Sequence, residues 1–401
     1  MAIDKIMSKE AFASFVESAK KVSGYKDPIA FGIARVDRGQ KDESKILQAT
    51  FPVTNWGENF GSAAVFTAAL TDAGVNVDFS GSEFVTELSR EFITNAMNIF
   101  TPYIQESEGN EHKNVQVIKH LDELFHSQGV DTNSYKVVFL FEDSAPQSVE
   151  AIYLKLYGLS EAKVALRSTN LNGAFGKLHN VAWSGNMPIE LDWLRENEIS
   201  LKLDGMYPEI SSVDKFPRFL QHVIPADNTR ILDASKVRMG AQLAAGTTVM
   251  PGASYINFNA GTTGPVMVEG RISSSAIVGS GSDVGGGASI LGVLSGTDGN
   301  PISIGKNTLL GANSVTGIPL GDACIVDAGV SILEGTKITI DTDEFNKIKE
   351  ANPEWASADT DVFKGGVLAG LDGIHFREDS LTGTVQAFRS TREVKLNADL
   401  H

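Results

Sequence analysis

From residue 266 the chain reads VMVEGR (266–271), ISSSAI (272–277), VGSGSD (278–283), VGGGAS (284–289) and ILGVLS (290–295). Every six residues a large aliphatic side chain recurs, and three places later stands a small residue, with Glu269 and Val293 as exceptions. Upstream the same phase runs ILDASK, VRMGAQ, LAAGTT, VMPGAS and YINFNA over 231–260. Downstream it passes through GTDGNP (296–301) and continues as ISIGKN, TLLGAN, SVTGIP, LGDACI, VDAGVS and ILEGTK to residue 337. A period of six is neither the 3.6 of a helix nor the 2 of a half-buried strand. One inward aliphatic and one small corner residue per hexad instead describe a parallel β-helix. Three hexads close a triangular coil, and roughly six coils at about 4.8 Å spacing give a prism about 30 Å long. A flexible Gly-rich linker would not keep its apolar residues in phase. Five residues, GTTGP (261–265), interrupt the phase and are expected to protrude as a loop.

Outside the repeat the pattern changes. Residues 1–225 read as an α/β domain, 226–340 as the β-helix and 341–401 as a small C-terminal segment. Helical spacing covers 8–22, with Ser8 as N-cap, then 62–73, 82–104 and 114–126. Strands are expected over 28–36, 46–53 and 136–141. SAPQ (144–147) reads as a capping box opening a helix through Tyr157. The acidic stretch 341–362 reads as an insertion able to form a short helix.

Bulk properties narrow the function. The 401 residues carry a formal net charge of −16, which argues against nucleic-acid backbones and anionic membrane surfaces as main partners. No apolar run reaches spanning length and the start MAIDKIMSKEAF has no signal-peptide core, so a cytoplasmic location is expected. The one cysteine, Cys324, excludes an intrachain disulfide and a Cys-cluster metal site. His120 and His126 are six apart, off the spacing that shares a helix face, and read as surface or packing residues together with His112. No histidine stands between His222 and His375, so neither a three-histidine zinc site nor a prism-borne histidine base is available. Glu269 is the charge that breaks the small-residue rule, with Gly270 and Arg271 directly after it. A carboxylate in a corner position costs the fold something, which marks it as a candidate for chemistry. A solvated glutamate paired with Arg271 is the plainer alternative.

The run MVEGRISSSAIVGSGSDVGGGASILGVLSG (267–296), continued by ISIGKNTLLGANS (302–314), resembles the tetrahydrodipicolinate N-succinyltransferase family. The likeness runs from about 216 to 337 and returns in GGVLAGLDGIHFREDSLTG (365–383). It implies a left-handed prism, a homotrimer with sites between neighbouring chains, and succinyl transfer from succinyl-CoA to an amine derived from tetrahydrodipicolinate. It also implies roles. Glu269 matches the catalytic carboxylate, as nucleophile or general base, and Gly292 the glycine whose N–H stabilises an oxyanion. Arg271, Gly286, Ser289, Ala312, Asp327, Ala328, Gly335 and Lys364 match positions lining the succinyl-CoA site. The chemistry is consistent: small residues leave a groove for pantetheine, Arg271 can hold a carboxylate and Lys364 a phosphate. Gly285-Gly286-Gly287 is no phosphate loop, lacking Lys-Ser/Thr and a following helix. Around 250–255 the spacing departs from relatives bearing an acidic residue there, so no metal is expected. Two other readings stay open on the residues alone: an acyltransferase for a nucleotide-sugar amine, and a binding β-helix without chemistry.

Overall fold

The computed structural model describes residues 3–127, 131–293, 299–357, 360–392, 394 and 396. The hexads ILGVLS and GTDGNP fall partly on 294–298, outside the described residues, as do 358–359 of the acidic stretch. The chain divides into two compact units: Met1–Gly158 with Thr169–Phe216, and Leu159–Ser168 with Pro217–His401.

In the second unit the hexads become three parallel ladders. The first face stacks Arg230–Ile231, Thr248–Val249, Met267–Val268, Asp283–Val284, Leu309–Leu310 and Ile325–Val326. The second stacks Tyr255–Ile256, Arg271–Ile272, Ser289–Ile290, Val315–Thr316 and Ser331–Ile332. The third stacks Gly261–Thr262, Ile277–Val278 and Ser303–Ile304. Two-residue strands alternate in and out, so the hexad-opening Val249, Ile272, Val278, Val284, Ile290, Val326 and Ile332 are fully buried in one continuous core. Corners at Gly246, Gly281, Gly287 and Gly329 adopt positive φ, and Ser275, Asn307 and Asn313 take the same conformation without glycine.

The interruption at 261–265 is not a loop. Gly261–Thr262 is a buried strand of the third face, and a Cβ on Gly261 would lie 1.8 Å from the Gln242 carbonyl oxygen. Glycine stands there because two coils approach backbone to backbone, which looks like a break in an aliphatic repeat. The longer spacing comes later: second-face Arg271 and third-face Ile277 are six apart, whereas in the next coil Ser289 and Ser303 are fourteen apart. Arg167, from the segment that joins this unit, fastens the far end of that connection. Its guanidinium donates to the carbonyls of Ser275 (2.6 Å) and Ile302 (2.5 Å) and to Ser303 Oγ (2.9 Å).

The C-terminal stretch returns to the prism. After the helix Thr342–Ala351, Ile374–Glu378 pairs in parallel with Ile325–Val326 and continues the first face, and Val385–Arg389 pairs antiparallel to it.

The first unit centres on an antiparallel sheet ordered Ile46–Thr50, Ala30–Arg38, Tyr135–Leu140, Glu83–Glu87. Phe60–Asp72, Arg90–Ile99 and Lys113–His126 are its main helices, sharing a core that includes Phe31, Phe66, Phe92, Phe125 and Phe139. Ser8 caps the helix Lys9–Ala19 as expected, accepting from the Ala11 N–H. Two expectations fail here. Residues 82–104 are not one helix, because Glu83–Glu87 is an edge strand and Ser89 caps a fresh helix at Arg90. The capping box at 144–147 does not form; the helix Val149–Ser160 has the Ser148 hydroxyl accepting from Ala151 N–H, and the Gln147 N–H goes to Glu83.

Candidate active site

The path between the first and second faces decides the site. Asp283 to Ser289, Leu309 to Val315 and Ile325 to Ser331 each span six residues, and Thr248 to Tyr255 spans seven. Met267 to Arg271 spans only four, leaving Glu269 and Gly270 to make the whole corner. The vertex is cut short there, between longer corners on either side. Gly270 is forced, since a Cβ would sit 2.3 Å from the Ala288 carbonyl oxygen. Glu269 is not in the left-handed region, so the shortened corner removes the demand for a small residue that the other corners impose. Its N–H donates to the Val284 carbonyl (2.8 Å) and its carbonyl accepts from Gly287 N–H (3.2 Å). The backbone is thereby fixed, while the half-buried carboxylate has no hydrogen-bond or ion-pair partner among the described residues.

Of the three glycines 285–287, two serve the backbone. A Cβ on Gly285 would meet the Leu310 carbonyl oxygen at 2.6 Å, and Gly287 has φ +73°. Gly286 has neither reason: the nearest atom to its missing Cβ is Glu269 Oε2, at 3.6 Å. What its glycine provides is open space against the carboxylate. Below it on the same edge lie Ala312 and Ala328, linked corner to corner by Asn313 N–H to Gly286 O (3.0 Å) and Gly329 N–H to Ala312 O (2.9 Å). Glu269, Gly286, Ala312, Asp327 and Ala328 therefore share one edge of the prism.

Arg271 and Ser289 are register partners on the outer side of the second face, and the guanidinium Nη2 donates to Ser289 Oγ at 3.0 Å. The plainer pairing of Glu269 with Arg271 does not occur among the described residues. Gly292 follows Ser289–Ile290 and lies at the other border of the face, where its Cβ would touch Ser273 Cβ at 3.1 Å. Among the described residues its N–H has no acceptor. Gly335 lies on that second border too. It lines a cavity of about 330 Å³ with Glu334, Lys364, Gly366 and Val367. Lys364 reaches it because Val362–Lys364 pairs antiparallel with Lys337–Thr339. Within one chain Glu269 and Gly292 are thus at opposite borders of the second face, a strip of about 13 Å for four extended residues.

Asp327 differs from Glu269 although both occupy the position after an inward residue on the first face. Its carboxylate accepts from His375 Nε2 (2.7 Å) and Arg377 Nε (2.7 Å). Partial burial pushes its pKa up, but the hydrogen bonds from Arg377 and His375 outweigh this and leave it lowered. His375 and Arg377 were missed as neighbours of the prism. The signal was the alternation Ile374-His375-Phe376-Arg377, which marks a strand with its apolar residues facing in; the structure pairs it with the first face. Cys324 is buried and burial pushes its thiol up to about 11, which removes it as a thiolate nucleophile at neutral pH.

A triangular coil of hexads with a small-residue edge defines a hexapeptide-repeat protein. Comparison with known proteins gives the finer assignment. Residues 10–176 match the model for the tetrahydrodipicolinate N-succinyltransferase N-terminal region, 178–218 its middle region, and 301–334 the hexapeptide repeat of succinyl-transferase. A 2,3,4,5-tetrahydropyridine-2,6-dicarboxylate N-succinyltransferase of Sulfurovum is 68% identical over 401 residues, all of both chains. The Vibrio cholerae protein of that name is 46% identical over 66% of this chain and 73% of its own. A crystal structure of a 2,3,4,5-tetrahydropyridine-2-carboxylate N-succinyltransferase from Campylobacter jejuni superposes with TM-score 0.91 at 57% identity, covering 97% of this chain and 100% of that one. The chain belongs to the tetrahydrodipicolinate N-succinyltransferase family. The likeness read from 216–337 thus extends through the first unit as well.

Proposed function

We propose that this protein transfers the succinyl group of succinyl-CoA to the amino group derived from tetrahydrodipicolinate, in the diaminopimelate branch of lysine biosynthesis. The observation carrying the assignment of chemistry is the partner-free Glu269 in the shortened corner, with Gly286 leaving space beside it. In the proposed step the Glu269 carboxylate takes a proton from the acceptor amine as its nitrogen attacks the thioester carbonyl. The tetrahedral oxyanion is met by the Gly292 N–H. Collapse breaks the C–S bond and releases CoA thiolate, which takes up a proton. Arg271, exposed beside this corner, holds the distal succinyl carboxylate, with Ser289 steering its guanidinium.

The pantetheine arm follows the edge of Gly286, Ala312 and Ala328, near Asp327, and the cavity at Gly335 receives a phosphate on Lys364. Glu269 and Gly292 belong to opposite borders of one face, which favours a site shared between chains. A homotrimer of left-handed prisms supplies that closure, each site taking one border from each of two neighbours. The prism domain is 226–340, between the α/β domain 1–225 and the segment 341–401, and the protein works in the cytoplasm without a metal.

The test is release of free CoA thiol by purified protein. Succinyl-CoA with tetrahydrodipicolinate should give thiol at a rate dependent on both. Release with acetyl-CoA and a nucleotide-sugar amine, and none with the proposed pair, would overturn the assignment.

A further inference from the structure

A cavity of about 560 Å³ lies in the first unit, remote in sequence from the prism residues discussed above. One wall is the helix Lys113–His126, which turns Lys113, Gln116, Val117, His120, Leu121 and Leu124 towards it. These positions follow the three-and-four spacing of one helix face. The opposite wall is the strand pair carrying Ile33, Arg35 and Tyr135, closed by Pro52 and Val53. The helix buries Val115, Ile118 and Phe125 in the core, whereas Val117 and Leu124 are only half covered.

Among the described residues the ionisable groups of the lining are Arg35, Lys113, His120 and Tyr135, with no carboxylate among them, in a chain of net charge −16. Two of these groups are already engaged: Arg35 pairs with Asp37 at 2.8 Å, and His120 lies 3.7 Å from Glu123. Lys113 makes no ion pair among the described residues. It is also the first residue of its helix, where unsatisfied backbone N–H groups add positive potential. The volume falls in the range of small-molecule sites, and apolar walls with one convergent charge are how such sites hold an amphipathic ligand.

We infer that this cavity binds a small amphipathic anion, an aromatic or branched apolar body bearing one carboxylate or sulfonate, with the acid group at Lys113 and the body against Val117, Leu121 and Leu124. Its lining comes wholly from the first unit and shares no residue with the proposed acyl-transfer site, and the inferred occupant is neither of the two proposed substrates.

Anilinonaphthalene sulfonate, an aromatic anion whose fluorescence rises in apolar surroundings, is the probe. Titrated into the full-length protein it should bind saturably and be displaced by phenylbutyrate but not by succinyl-CoA. Val117→Trp, which fills the cavity, and Lys113→Glu, which reverses the charge, should each weaken binding about tenfold or more. Lys113→Glu puts an acid at a helix N-terminus, which favours folding, so it decides the matter even if Val117→Trp does not fold. Binding unchanged in Lys113→Glu, or displacement by succinyl-CoA, overturns the inference. So does absence of saturable binding combined with a smaller oligomer for Val117→Trp, since a second copy of the chain would then cover the cavity.

Discussion

Glu269 and Asp327 occupy the same register position on the first face, each directly after a buried valine, yet their settings are opposite. Asp327 stands in a corner of regular length and has its carboxylate held by His375 and Arg377. Glu269 stands in a corner cut to two residues, faces the open side of Gly286 and has no side-chain partner among the described residues. A paired carboxylate is a poor base, because its partners stabilise the ionised form and lower its proton affinity. The difference separates a carboxylate that fastens the returning C-terminal strand from one that no described side chain holds. A repeat fold makes the distinction easy to see, since every regular corner is a control for the irregular one.

The largest expected effect is on Glu269 itself. Glu269→Gln keeps size and removes the proposed base, and should lower turnover by about 10²–10⁴-fold with melting temperature and oligomeric mass unchanged. Arg271→Ala comes next. Loss of a charge-assisted contact worth roughly 1.5–3 kcal/mol should narrow the preference for succinyl-CoA over acetyl-CoA by tenfold or more. An unchanged donor ratio would assign discrimination elsewhere. Asp327→Asn keeps one acceptor oxygen and gives up one of the two accepted hydrogen bonds, but it removes no proton acceptor from the proposed step and should leave turnover within about threefold of wild type; a loss matching that of Glu269→Gln would erase the contrast between the two corners. The smallest effect is in acid. A lowered Asp327 pKa contributes stability that is complete above the unfolded-state value of about 3.9 and is lost as pH falls through the folded value. Melting temperature should therefore drop below about pH 4 by slightly more in wild type than in Asp327→Asn.

The prism could be read from the chain because each hexad repeats its own evidence, and the core valines and isoleucines lie where the phase puts them. Glu269 also stood out in the sequence, but for a reason the structure alters. Its charge broke the small-residue rule of a full corner, whereas the structure shows a corner two residues short and no loop at 261–265. Deletions within a repeat leave no residues to notice, and a phase reset at Gly261 looks the same in sequence whether the chain loops out or packs flat. The alternation over 374–377 marks a strand, but its placement beside Asp327 depends on pairing across 50 residues of chain, and the alternation does not name the partner. The strand Glu83–Glu87 was lost in an apparent helix because its neighbour from Arg90 is strongly helical and the cap at Ser89 was overlooked.

The central claim is that shortening the corner at Glu269 makes the site. It is tested most directly by inserting Ser-Gly between Glu269 and Gly270, which restores the six-residue spacing of the corners below. The assay is CoA thiol release from succinyl-CoA and tetrahydrodipicolinate, with circular dichroism and thermal melting to establish that the prism is intact. The account predicts a folded protein with turnover reduced about 100-fold or more, comparable to Glu269→Gln. A folded insertion variant that retains turnover within about threefold of wild type would contradict it.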